Sequence, residues 1–149
     1  MSRDPVKMVD ISGKETVPRR ATAVGRIMLK DSTVRKIKEG KIKKGDPLTV
    51  AEVATILAVK KTPDLLPLCH SVPVDSVETR FTLGRECVDV ECTVFAYYRT
   101  GVEMEALTGV TVALLNIWDM VKYLEKDKAG QYPDAAITDV RVTEKVKGP

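Results

Sequence analysis

The order in which apolar periodicity changes along this chain, β-α-α-β-β-α-β, predicts an α+β fold: a ferredoxin-like antiparallel sheet with helices packed on one face. Two further observations support it. Two alternating stretches, 74–83 and 88–98, are separated only by the short turn 84–87, as an antiparallel hairpin requires. The stretch 103–125 carries Leu107, Val110, Leu114, Ile117, Val121 and Leu124 on one side, a stripe long enough to cover a sheet.

Residues 1–19 hold Pro5, Gly13, Pro18 and many charges without a sustained period, and read as an arm ordered by contacts rather than by itself. Residues 20–149 then form a single domain. A first strand is expected over 20–30, where Ala21, Ala23, Gly25, Ile27 and Leu29 alternate with other residues. Asp31 and Ser32 offer an N-cap for a brief helix with Val34 and Ile37 inward, stopped by Gly40. The basic turn 41–46 ends in Asp46, and Pro47 follows at a first helical position, which suits its fixed φ and missing N–H. The helix over 47–61 is expected to turn Val50, Val53, Ala54, Leu57 and Val59 inward, with Thr62 and Pro63 ending it. The stretch 64–73 is apolar but broken by prolines, so it reads as a buried irregular crossing. After the hairpin and the long helix, a polar loop over 126–134 leads to a last strand over 137–146.

The chain has 149 residues, a net charge of +3 and 30% charged residues, so the positive excess is modest and most charges solvate the surface. Cys69, Cys87 and Cys92 are an odd set without paired spacing, which fits a reduced cytoplasmic setting better than a disulfide scaffold. The first ten residues lack the hydrophobic core of a signal peptide, and no continuous apolar run reaches the roughly 18 residues of a membrane span. No membrane association is expected.

Lys43, Lys44, Gly45 and Asp46 precede a helix N-terminus, where backbone N–H groups and ammonium groups suit phosphate oxygens. A solvated basic turn would look the same. His70, the single histidine, can both donate and accept near neutral pH, or be a hydrogen-bonded core residue. Cys69 reads as a small buried hydrophobe, and the spacing of Cys69, His70, Cys87 and Cys92 does not suit a zinc site. On the long helix, Glu105, Asn116, Asp119 and Lys122 recur on one side. Asp119 and Lys122 are close enough for one to orient the other, although a surface ion pair has the same spacing. Glu105 and Asp119 are fourteen residues apart, about 21 Å along a helix. One small reacting centre cannot touch both. Two protein classes remain: an enzyme acting on a phosphorylated small molecule by acid–base chemistry without a metal, and a ferredoxin-like nucleic-acid-binding module. The second needs stacking aromatics on central strands, and Phe95, Tyr97 and Tyr98 do not stand in the usual pattern.

Several segments resemble the MoaC-type cyclic pyranopterin monophosphate synthases of molybdenum-cofactor biosynthesis: Met8-Val-Asp-Ile-Ser12, Lys44-Gly-Asp46, Asp64-Leu-Leu-Pro-Leu-Cys-His70, Thr100-Gly-Val-Glu-Met-Glu-Ala-Leu-Thr108 and Trp118-Asp-Met-Val-Lys122. The resemblance implies a lyase converting the cyclised dihydro-GTP, (8S)-3',8-cyclo-7,8-dihydroguanosine 5'-triphosphate, to cyclic pyranopterin monophosphate with release of diphosphate. It implies Asp119, Lys44 and Lys122 as catalytic groups, and Leu68, Cys69, His70, Met104 and Glu105 as substrate-binding residues. It implies no cofactor, no metal and no nucleic-acid partner. It also implies a homohexamer, a trimer of dimers, with the active site at a subunit interface. The chain departs from the usual glycine-rich lysine tail, ending instead with Lys145 and Lys147 near its terminus. Arg99 stands where lysine is common.

Overall fold

The structure is a computed structural model and describes residues 2–149. Its elements are β1 (Val17–Met28), α1 (Asp31–Lys38), α2 (Pro47–Lys60), α3 (Thr62–Leu65), β2 (Val74–Leu83), β3 (Cys87–Tyr98), α4 (Glu103–Glu125) and β4 (Ala136–Lys147). The sheet has the order β2-β3-β1-β4 with every neighbouring pair antiparallel. That is the α+β sheet expected from the sequence, with the one-turn α3 added.

One face of the sheet carries Ala21, Ala23 and Ile27 of β1 with Val88, Val90, Cys92 and Val94 of β3, all buried. Against it lies α4, whose Val110, Ala113, Leu114, Ile117 and Val121 are buried as its periodicity predicts. Gly25 leaves room for two side chains of α4. A Cβ there would stand 2.7 Å from Leu114 Cδ1 and 2.8 Å from Val110 Cγ1. α4 has the length and mean hydropathy of a membrane span, but half of that window is buried inside the fold. It is the core helix.

Four expectations need correction. β1 begins at Val17, not at residue 20, because Val17 and Pro18 already stand opposite Tyr98 and Tyr97 of β3. α1 has no cap from its own sequence: Lys30 holds the N-cap position without a side-chain bond. Glu125, at the end of α4, supplies it by accepting the Lys30 N–H at 3.1 Å and the Thr33 hydroxyl. In α2 the buried residues are Ala51, Thr55, Ala58 and Val59, while Val50, Val53 and Leu57 face outward. Small residues let α2 approach α4 at Gly109, where an added Cβ would meet Val59 and Thr55. The crossing 64–73 is not buried: Leu65, Leu66 and Leu68 are exposed. Its backbone turns as α3 and then folds back with the Cys69 N–H on the Leu66 carbonyl, rather than passing through the core.

Candidate active site

The Lys44 turn is built from both ends. The Ile42 side chain is buried, its carbonyl accepts the Gly45 N–H at 3.1 Å, and Gly45 takes φ +117, a conformation that favours glycine. Asp46 then caps α2, accepting from the Leu48 N–H at 3.0 Å and the Thr49 hydroxyl at 2.7 Å. This geometry aims Lys44 at α4. Its Nζ stands 3.2 Å from Asp119 Oδ2 and 3.2 Å from the Asp119 carbonyl. Lys122 Nζ reaches the other carboxylate oxygen, Oδ1, at 3.1 Å. One carboxylate therefore holds two ammonium groups, one on each oxygen. Lys122 and Lys44 keep the Asp119 carboxyl below the usual carboxylate range, so it is ionised at neutral pH.

The cluster is open to solvent. Asp119 and Lys122 share a shallow cavity of about 470 Å³ with Leu115, Trp118, Tyr132 and Ile137, and Trp118 meets Tyr132 edge-on at 5.3 Å. Two cations held on one carboxylate, at a cavity whose lining includes Trp118 and Tyr132, suit an anionic ligand with a flat portion.

At the other end of α4 a second group forms. Glu105 is fully buried. The Cys69 thiol donates to its Oε2 at 3.8 Å, and Oε1 has no hydrogen-bond partner. Burial pushes the Glu105 carboxyl up, and burial with the nearby Glu105 charge pushes the Cys69 thiol up. A thiol of that kind is a donor rather than a nucleophile. His70 is half-buried beside it, and Leu68 and Met104 are exposed, so the segments holding all five expected binding residues border one region. Cys92 is apart from this group, in the core, where burial takes its thiol up to about 12.

Glu105 and Asp119 thus lie at opposite ends of one helix, and no hydrogen bond or ion pair joins their groups among the described residues. Asn116, between them, is occupied with the Val112 carbonyl at 2.9 Å. The polar side of α4 is therefore two stations and not one continuous wall. No group of three or more His, Cys, Asp or Glu side chains that could hold a metal ion occurs among the described residues.

Two neighbours escape sequence reasoning. Lys145 Nζ of β4 stands 3.6 Å from Glu103 Oε1. Asp10 of the arm, its carboxyl held down mainly by the Ser12 N–H, also feels the charges of Arg99 and His70. Neither pairing has a local spacing to reveal it, because sheet closure alone brings the tail to the start of α4.

The open sheet face does not favour a nucleic-acid platform. Across it Arg26 is paired with Asp89 at 2.7 Å, Arg80 stands opposite Glu91, and Thr22 bonds to Thr93. Of the aromatics on that face of β3, Phe95 lies under Arg20 at 5.8 Å and Tyr97 is exposed at the strand's end. One exposed ring beside a row of paired carboxylates is a poor stacking platform for bases.

The known proteins agree with the segments that carry the resemblance. The sequence model of the MoaC family matches residues 8–148. A Pyrococcus horikoshii protein described as a probable cyclic pyranopterin monophosphate synthase is 61% identical over 142 residues, covering 95% of this chain and 89% of its own. A Thermococcus kodakarensis protein of the same description is 58% identical over 143 residues, 96% of this chain and 92% of its own. An Aeropyrum pernix protein so described is 54% identical over 141 residues, 95% of this chain and 97% of its own. On this footing the chain, with its Lys44–Asp119–Lys122 cluster, belongs to the MoaC family.

Proposed function

We propose that the chain is a cyclic pyranopterin monophosphate synthase, a lyase that rearranges cyclised dihydro-GTP to the pterin, closes the cyclic phosphate and releases diphosphate. The observation that carries this reading is the sharing of Asp119 between Lys44 and Lys122. Diphosphate departure needs cations on the leaving oxygens, and two ammonium groups held 3.2 and 3.1 Å from one carboxylate meet that need. When phosphate oxygens draw the lysines away, Asp119 is freed to accept a proton and a lysine is placed to donate one. Asp119, Lys44 and Lys122 are the catalytic groups in this reading.

Leu68, Cys69, His70, Met104 and Glu105 bind the substrate. A buried carboxyl with an unpartnered oxygen suits the donors of a guanine-derived ring. Because the two stations sit at opposite ends of α4, a site using both is completed by a second chain. The outward apolar face of α2, with Val50, Val53 and Leu57 exposed, supports such an assembly, and a hexamer of cytoplasmic location is the arrangement we assign.

The test supplies cyclised dihydro-GTP and measures pterin and diphosphate. The wild type forms both. Asp119→Ala leaves a folded oligomer whose kcat is lower by about 100-fold or more, the scale of a lost acid–base group. Undiminished turnover in that variant removes the assignment of Asp119.

A further inference from the structure

The turn before α2 presents two adjacent ammonium groups, yet Lys44 alone of the two pairs with Asp119. The reason lies one helical turn beyond Asp119. Tyr123 packs against the core, and its hydroxyl accepts the Lys43 backbone N–H at 2.9 Å. The Lys43 ammonium lies over the same ring, 5.2 Å from its centroid. We propose that Tyr123 is a positioning residue: it holds the peptide between Ile42 and Lys43, the one that sets the chain's approach to Lys44, so that Lys44, and not Lys43, is held against Asp119.

Asp119 and Tyr123 are four residues apart and share one side of α4. The helix therefore offers two docking points to two consecutive residues of the turn, a carboxylate for the Lys44 ammonium and a phenol for the Lys43 N–H. Ile42 and the Asp46 cap secure the ends of the turn. The Ile42–Lys43 peptide is held at its carbonyl by the Gly45 N–H, within the turn, and at its N–H by the phenol, which is the side-chain contact that ties it to α4. By drawing the Lys43 charge onto its ring, Tyr123 also keeps the second ammonium away from Asp119. The kinetic part of this inference rests on the synthase reading; the structural part does not.

Tyr123→Phe tests it, because it keeps the ring and its packing and deletes only the acceptor oxygen. Three quantities are read on the full chain: the titration midpoint of the Asp119 carboxyl by carbon NMR, the affinity for inorganic diphosphate, and kcat/KM. The expected result is an Asp119 midpoint moved up, part of the way to that of Lys44→Ala, with an unchanged melting temperature. Diphosphate affinity and kcat/KM each fall about fivefold, the scale of one lost hydrogen bond. In a Lys44→Ala background Tyr123→Phe weakens diphosphate binding no further. An unmoved Asp119 midpoint overturns the proposal, as does an equal loss of affinity with and without Lys44. A wild type that forms no pterin, while Tyr123→Phe still moves the midpoint, refutes the synthase reading and leaves the role of Tyr123 standing.

Discussion

At the scale of single residues, the two carboxyls of the site are tuned in opposite directions, and each direction has a consequence. Asp119 is depressed, first by its hydrogen bond to Lys122 and then by Lys44. A carboxylate depressed in the folded state lends stability that is complete above its unfolded value, about 3.9, and is lost as pH falls through the lower folded value. Its exposure makes that contribution small, so the ionisation itself is the better observable. Lys122→Gln is expected to move the Asp119 midpoint upward by carbon NMR, and a midpoint that stays put shows the pairing to be absent in solution. Glu105 is raised because burial disfavours its charge. The sign reverses: stability falls as pH rises from its unfolded value, about 4.3, through the higher folded value. Glu105→Gln keeps the shape and cannot ionise. Its stability relative to wild type should therefore improve between pH 4 and pH 8, read by urea unfolding. A constant difference across that range would refute the burial argument.

At the scale of elements, α1 and α4 are joined by Glu125. The side chain is fully buried, accepts from Lys30 N–H and the Thr33 hydroxyl, and places a carboxylate at the N-terminus of α1. Glu125→Ala removes both bonds at once and is expected to cost about 2–3 kcal/mol, whereas Glu125→Gln, which keeps an acceptor, costs less. Equal losses in denaturant melts would mean that packing and not capping is at stake. This cap also marks what local sequence can reveal. Asp46 was readable because cap, proline and helix are consecutive. Glu125 caps a helix some ninety residues away in sequence, so no window could show it. The stripe on α4 was legible because its other side is polar. α2 gave no such contrast: Val50, Val53 and Leu57 face out, Ala51, Ala58 and Val59 face in, and both sides are apolar. Thr55 adds to the ambiguity, since its hydroxyl bonds to the Ala51 carbonyl at 2.7 Å and leaves a methyl for the interface with α4. Of the site, Asp119 and Lys122 follow from helical spacing. Their meeting with Lys44 depends on how α2 lies across α4, and the pairing of Lys145 with Glu103 depends on closure of the sheet.

At the scale of the molecule, the assembly proposed above would account both for the apolar outer face of α2 and for the separation of Glu105 and Asp119 along α4. Val53 is 55% exposed, Leu57 54% and Leu115 53%, more apolar surface than a single chain gains from exposing. Leu115, on α4, also borders the Asp119 cavity. A second copy is the occupant that would also bring a Glu105 station toward an Asp119 station. Val53→Lys with Leu57→Glu places charges on the outer face of α2 and touches no buried residue of the chain itself. The double variant should keep its helical circular dichroism and a cooperative melt, while light scattering shows a smaller particle than the wild type. Turnover of cyclised dihydro-GTP should fall by at least tenfold in parallel with dissociation, because each chain then keeps the stations but loses the neighbour that completes the site. Full turnover by dissociated chains would show that one chain suffices, and that the distance between Glu105 and Asp119 has some other meaning.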